Sequence, residues 1–381
     1  MPYQPLNGIR ILDLSRLLPG PYVTQLFADL GAEIIKVERP GAGDYARDFT
    51  AEMGLAGMFD AINRGKKSLG LDYRSPRGRE LFLALCQTAD VVLESFRPGA
   101  VKNWGIGFDD VRAVKENIVY CSLSGYGQTG PYCDRAGHDI NYTALGGALM
   151  LNAPPGGIPM PYSIPLSDLG GSILAGFAIL AALTGRDPAH RGCYIDVSLL
   201  DGMIALVTPL IGGSYFHGQK TGAQTAPITT GKPYYAVYQT SDGRFISFAP
   251  IEAHFWDRFC KRIERPDLSG RQFDPAIGEE LKLLFLQKTR AAWMSLLADL
   301  DACIESVNTF EDMLFDPHVQ ARGHVRMEDG RPVRMNSPFV FARVEGSDPP
   351  RLGNDTREIL SALGLAEDEL ARLSEQGVIS L

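Results

Sequence analysis

Short runs of β-branched and aliphatic residues alternate with longer stretches of helical period through the first half of the chain. GIRILDLS (8–15) predicts a strand, and PYVTQLFADLGA (21–32) a helix with Pro21 near its start and Gly31 past its end. EIIKVERP (33–40) predicts the next strand and RGRELFLALCQTA (77–89) a further helix, with strands at DVVLES (90–95) and NIVYCSLSG (117–125). Strands alternating with helices predict an α/β fold with a parallel sheet of the doubly wound kind. GRDPAHRGCYIDV (185–197) predicts a turn and a strand, and SLLDGMIALVTPLIGGSYF (198–216) a helix. The texture then changes. HGQKTGAQTAPITTGKP (217–233) is polar and without period, which marks a linker. YYAVYQT and RFISFAP around Ser241-Asp242-Gly243 predict a hairpin, and helical, charged stretches follow to about residue 321. Expected, then, are a large α/β domain over 1–216, a linker over 217–232 and a smaller α+β domain over 233–321. Residues 322–381 form a return segment and a helical tail expected to pack on the large domain.

Two positions interrupt this pattern with candidate chemistry. His138 stands in RAGHDINY, a polar loop with neither helical nor strand period. Asp168 stands before a long apolar run, Leu169 to Leu183, so Ser167 or Asp168 reads as an N-cap. Gly170 and Gly171 each cost the first turn roughly 1 kcal/mol relative to Ala, which suggests a close approach to the backbone there. A helix start also offers free N–H groups and a positive dipole end to a developing anion. Alone, neither residue is decisive. A lone loop histidine more often serves a surface or a hydrogen bond, and an Asp before an apolar helix is usually only a cap.

Composition narrows the classes. With 381 residues, 45% hydrophobic and 22% charged, the chain reads as a soluble globular protein long enough for two domains. The six cysteines are scattered without CxxC or Cys/His spacing, so reduced thiols, a cytoplasmic setting and no metal site are expected. The N-terminus lacks the charged-then-apolar order of a signal peptide, and the apolar run after Asp168 reads as short for a membrane span. A net charge of −8 argues against nucleic-acid binding. The charge is uneven, however: residues 1–115 hold 15 Lys+Arg against 14 Asp+Glu. Arg39, Arg64, Lys66, Lys67 and Arg97 fall at predicted strand ends or turns, where α/β folds bind ligands. Singly they read as solvated surface; together they suit phosphate groups. GYGQTG (125–130) matches GxGxxG after a strand, but Pro131 and a polar loop follow in place of a helix. A phosphate or pantetheine loop suits it better than a dinucleotide site. Met150, Met160 and Met203 read as core.

With these pieces assembled, the chain resembles the class III CoA-transferase superfamily and, within it, the α-methylacyl-CoA racemase branch. The resemblance runs from about Leu6 to Leu365. It is carried by ILDLSRLLPGPYVTQLFADLGAEIIKVERPGAGD, NRGKKSLGLD, SGYGQTGPY, GHDINY, SDLGGS and SDGRFISFAPIEAHF. It implies a Rossmann-like large domain, a small domain on two linkers, and an interlocked homodimer. It further implies an acyl-CoA substrate and no cofactor beyond its CoA moiety. Carried over position by position, CoA contacts fall at Leu17, Leu18, Arg39, Leu71, Tyr73, Arg74, Ser95, Arg97, Gly125, Tyr126 and Gly127. Asn103 stands where the transferases tend to carry an Arg.

The branches differ in their chemistry. Transferases use the position of Asp168 as a nucleophile and carry a run of glycines in the small domain, absent here near 231–262. Racemases carry a His and a Glu where this chain has His138 and Glu252. Inverting a stereocentre through a planar enolate requires a proton carrier on each face, and His138 and Asp168 are the expected pair. Glu252 is expected to orient the imidazole, and the helix start near Gly170 to face the enolate oxygen. The leading expectation is epimerisation of 2-methylacyl-CoA thioesters; the alternative is CoA transfer between carboxylic acids.

Overall fold

The computed structural model describes residues 3–50, 52–154, 156–185, 192–218, 232–343 and 348–381. They form two compact units. One comprises Met1–Gly146, Ser163–Leu206 and Arg322–Leu381; the other comprises Gly147–Tyr162 and Val207–Ala321.

The first unit opens with β1 (Arg10–Asp13), α1 (Pro19–Asp29), β2 (Glu33–Glu38), α2 (Met58–Ile62), β3 (Lys67–Leu71) and α3 (Pro76–Cys86). It continues with β4 (Val91–Glu94), α4 (Ala100–Asn103), α5 (Phe108–Val114), β5 (Val119–Ser124) and α6 (Asp139–Leu145). After α7 (Ala148–Leu151), which belongs to the second unit, come α8 (Leu166–Thr184), β6 (Cys193–Ser198) and α9 (Leu199–His217). The sheet order β3-β2-β1-β4-β5-β6 is parallel throughout, as the alternation of elements requires. Ile11, Leu12, Val91, Val92 and Tyr120 are fully buried, because a sheet covered on both faces needs apolar residues on both.

Several elements depart from the expectation. β3 was not expected as a strand: KSLGL is poor in β-branched residues. Gly70 there lets the C-terminal strand approach, since a Cβ would sit 2.7 Å from Ser380 Cβ. RAGHDINY is not a loop throughout. His138 is the N-cap of α6, and its N–H donates to Asn141 Oδ1 at 3.0 Å, so an Asn side chain supports the helix start. α8 begins at Leu166 with Pro165 at its N-cap, so Asp168 lies in the first turn and caps nothing. Gly170 and Gly171 do answer a close approach, but by α9. Their Cβ atoms would lie 2.7 Å from Leu206 and Leu199 side chains, and a Cβ on Gly202 2.8 Å from Gly171 Cα. At 19 residues, α8 and α9 are each long and apolar enough for a membrane span by length and composition, which corrects the expected shortness. α8 packs Ala175 and Ile179, both fully buried, in the core shared with α1 and β5.

The second unit adds β7 (Ala236–Gln239), β8 (Phe245–Phe248), α10 (Ala253–Arg262), α11 (Ile277–Phe285), α12 (Arg290–Leu297) and β9 (Ile304–Ser306). It closes with α13 (Phe310–Leu314) and α14 (Pro317–Ala321). β7, β8 and β9 are antiparallel, and the expected hairpin turns at Gly243 with φ +74°. Phe248, Trp256, Phe259, Phe285 and Trp293 make its core. Both indoles donate to main-chain carbonyls, of Leu268 and Phe285. The expected domain limit at 216 falls at 206 by contacts, so the two units divide within α9. Residues 147–162 also leave the first unit; Tyr162 Oη donates to Ala148 O, closing that segment on itself. Met150 and Met160 within it are exposed, not core, whereas Met203 is buried. Most of the expected linker (219–231) and of the turn after Gly185 (186–191) lies outside the described residues.

The return segment forms the hairpin β10 (Val325–Glu328) and β11 (Arg331–Met335), then α15 (Thr356–Ala362), α16 (Glu367–Glu375) and β12 (Ile379–Ser380). β12 pairs antiparallel with β3 and so adds a seventh strand to the large sheet.

Candidate active site

The strand order reverses at β1, with β2 and β3 on one side and β4 to β6 on the other. In open parallel sheets ligands bind at such a point, outside the carboxyl ends of the strands. A cavity of about 450 Å³ opens there. Arg16, Leu17 and Pro19 wall it after β1, Ser95 to Pro98 after β4, and Ser124 and Gly125 where β5 ends. The opposite wall is Cys133 and the segment from Arg135 to His138, with Asn141 and Tyr142 of α6 and Asp168 of α8.

His138 and Asp168 are therefore brought to one cavity from helices that start beside each other. The link is Asp139, which the sequence did not single out. Its Oδ1 accepts from the amides of Ser167 at 2.7 Å and Asp168 at 3.1 Å, both in the first turn of α8. The residue after His138 thus fixes the backbone of Asp168. Desolvation, with the like charge of Asp139 as a second cause, pushes the Asp168 carboxyl up to about 7. Among the described residues no cation pairs with it. Gly170 is the fifth residue of α8, so its amide lies within the helical ladder rather than free for a ligand. Among the described residues the amides of Asp139 and Ile140, at the start of α6, have no protein acceptor.

The other candidate positions divide. Leu17, Ser95, Arg97 and Gly125 line the cavity. A Cβ on Gly125 would lie 2.4 Å from Tyr142 Oη, so this glycine is fixed by packing. Leu18 is the half-buried N-cap of α1. Arg39 and Tyr73 line a small neighbouring recess with Arg16 and Asp44. Arg74 lies over the Trp104 ring at 4.3 Å. Leu71 is fully buried in the core beside β2, so only its main chain could meet a ligand. Tyr126 packs its ring on Tyr142, 5.0 Å between centroids. Gly127 turns at φ +84°, and the next amide, of Gln128, donates to Asp196. Asn103 closes α4. Glu252 belongs to the second unit, where it is the exposed N-cap residue of α10 and makes no side-chain cap.

Against the loop after β1 lies a buried group of charges, of which the sequence pointed only to Lys66. Asp13, Lys36 and Asp44 have no exposed surface, and Lys66 and Glu38 have 4% each. Lys36 Nζ is 2.9 Å from Asp44 Oδ2; Lys66 Nζ reaches Asp13, Thr24 and Asn63. Burial alone would raise the Asp13 carboxyl. Lys36, Lys66, Ser15 and Thr24 outweigh it and hold the group below its ordinary value. Lys66 and Lys67 are thus not loop cations for phosphate: Lys66 is buried among acceptors, and Lys67 pairs with Glu33 and Glu358. Arg64 is likewise engaged, beside Asp29 and on Met335 O.

Residues 6–356 match the model of CoA-transferase family III. The chain is 31% identical to α-methylacyl-CoA racemase of Homo sapiens, over 98% of this chain and 97% of that protein. It is 32% identical to succinyl-CoA:glutarate CoA-transferase of Mus musculus, over 99% and 90%. A crystal structure of a CAIB/BAIF family protein from Brucella suis superposes with a TM-score of 0.82 at 28% identity, covering 94% of this chain and 99% of that one.

Proposed function

The chain belongs to CoA-transferase family III, and from that premise we propose that it epimerises 2-methylacyl-CoA thioesters by a two-base 1,1-proton transfer. Family membership alone does not choose the reaction, since racemases and CoA-transferases are similar to it at about equal identity. The observation that carries the choice is that His138 and Asp168 line one cavity. A carboxyl raised to about 7, facing the same cavity as an imidazole, takes and returns protons near neutrality.

In this reading one of the two groups removes the α-proton and the C–H pair moves into a C=C bond. The thioester carbonyl thereby becomes an enolate oxygen. The other group then protonates the opposite face and the carbonyl re-forms. Gly170 is not the donor this reading assigns to the enolate, because its amide lies within the helical ladder. Glu252, in the second unit, carries no step here. The CoA moiety occupies the switch-point crevice, with Leu17, Ser95, Arg97 and Gly125 in its walls. No cofactor beyond that moiety is invoked. We also propose a homodimer in the cytoplasm. In the first unit α8 and α9 expose Ile173, Phe177, Ile204 and Leu206, and Phe177 is 71% exposed, an apolar surface suited to a second copy.

The second reading, transfer of CoA between carboxylic acids through an acyl-enzyme at Asp168, is favoured by the likeness to the succinyl-CoA:glutarate enzyme. Incubating one epimer of a 2-methylacyl-CoA in D₂O, with and without a dicarboxylate acceptor, separates the two. Inversion with α-deuterium and no dependence on acceptor supports the isomerase. Acceptor-dependent CoA transfer without α-label contradicts it.

A further inference from the structure

We propose that Arg16 binds a phosphate group of the CoA moiety, and that the buried Asp44–Lys36 ion pair is the device that positions it. The inference rests on the CoA reading of the cavity. Arg16 is exposed, lines both the cavity and the neighbouring recess, and has no carboxylate partner among the described residues. Its guanidinium leans instead on two rings, 5.0 Å from the Phe96 centroid and 5.6 Å from that of Tyr45. An arginine held by ring faces keeps its N–H edge for an anion.

The main chain on either side of Arg16 is clamped from below. Lys36 Nζ donates to Ser15 O at 2.9 Å, on the residue before it. Both Asp44 oxygens accept from the Leu17 amide at 3.1 Å, on the residue after it. Lys36 and Asp44 pair with each other at 2.9 Å, and both side chains are completely buried. Leu17 sits at φ +69°, a region a leucine adopts only under constraint, and this ion pair supplies the constraint. Asp44 also accepts from Ala46 N at 3.0 Å, which caps the single 3₁₀ turn Tyr45–Asp48 and so sets one of the two rings. Asp44 in turn is fixed through its own amide, which donates to Glu38 Oε2 at 2.9 Å. One carboxylate therefore governs both the backbone beside Arg16 and a ring it rests on. A solvated strand-end arginine would need none of this.

The test compares a 2-methylacyl-CoA with the same acyl group on pantetheine, which carries no phosphate. Arg16→Ala is expected to raise KM for the CoA thioester about tenfold or more, and for the pantetheine thioester less than about twofold. Arg16→Lys is expected to recover part of the loss. Asp44→Asn is expected to show the same split, and to add little to Arg16→Ala in the double variant, because it acts through that residue. Tyr45→Ala, at an exposed ring, supplies the positioning readout if Asp44→Asn does not fold; its CoA-specific rise in KM is expected to be smaller. An unchanged KM for the CoA thioester in Arg16→Ala overturns the inference, as does an equal rise for both thioesters. Fully additive effects of Asp44→Asn and Arg16→Ala, or a Tyr45→Ala enzyme with unaltered KM, overturn the positioning role. Calorimetric titration with CoA keeps the two levels apart. Wild-type enzyme that does not bind CoA contradicts the CoA reading itself, whereas variants binding as tightly as wild type contradict only the role of Arg16.

Discussion

Asp13 and Asp168 are carboxylates of the same unit, and burial pushes both toward protonation, yet they end on opposite sides of the ordinary value. Asp13 is the more deeply buried, but Lys36, Lys66 and two hydroxyls surround it and keep it ionised. Asp168 is only half-buried, but its near neighbour is another carboxylate, Asp139, and its pKa rises to about 7. Withdrawal from water is therefore not what marks the carboxylate proposed to react. What marks it is withdrawal without a compensating cation, beside a cavity. The ionised group serves the fold; the poorly compensated one is the carboxylate we propose for proton transfer.

The largest effect that would break this contrast is on rate. Asp168→Ala and His138→Ala are each expected to lower epimerisation by roughly 10²–10⁴-fold with little loss of melting temperature. Chiral separation of the thioesters measures it, and a variant with near wild-type epimerisation removes that group from the mechanism. Asp13→Ala is expected to do the reverse. It deprives buried Lys66 of its carboxylate partner, at a cost of about 3–5 kcal/mol in urea unfolding. Stability close to wild type would show that the buried network does not depend on its carboxylate.

A smaller effect sharpens the comparison through pH. An Asp whose folded pKa is raised binds protons more tightly in the folded state. Its favourable contribution is present below the unfolded value near 3.8 and is lost as pH rises toward 7. Asp168→Asn should therefore be more stable than wild type at pH 8, by on the order of 2 kcal/mol after discounting for the open side of the cavity. The gap should close below pH 4. Asp13 has the opposite sign: its contribution is present above the unfolded value and is lost only as pH falls through its depressed folded value. Denaturation midpoints across pH 3 to 9 test both signs together. The smallest expected change is in Asp139→Asn. Removing the like charge should move the Asp168 limb of the pH–rate profile to lower pH. The movement should be modest, because desolvation, the larger cause, remains. A limb that rises or does not move assigns the elevation elsewhere.

Much of this was legible in the chain, and the rest was hidden for identifiable reasons. β1, β2, β4 and β5 carry dense β-branched and aliphatic runs, so their existence and parallel order followed from local pattern. β3 did not show, because it pairs through a glycine that serves a strand more than 300 residues later, at Ser380. α6 escaped notice because a His and an Asn start it, not the Ser or Thr that usually signals a cap. His138 and Asp168 were visible as residue types, but their meeting depends on Asp139 reaching α8 across the fold, a contact with no local signature. Lys66 read as a charge at a turn, and Asp13, Lys36 and Asp44 drew no notice; only the folded chain shows that all four lie inside. Gly170 misled in a useful way: its close neighbour is a helix rather than a ligand.

The most direct test of the central claim follows the first turnovers of a single 2-methylacyl-CoA epimer in D₂O, scoring label separately in recovered substrate and inverted product. Two proton carriers on opposite faces predict product that is α-deuterated from the outset while unreacted substrate still holds protium. Inverted product that retains the original proton, or a lack of inversion with an acyl adduct trapped on Asp168 by hydroxylamine, would contradict it.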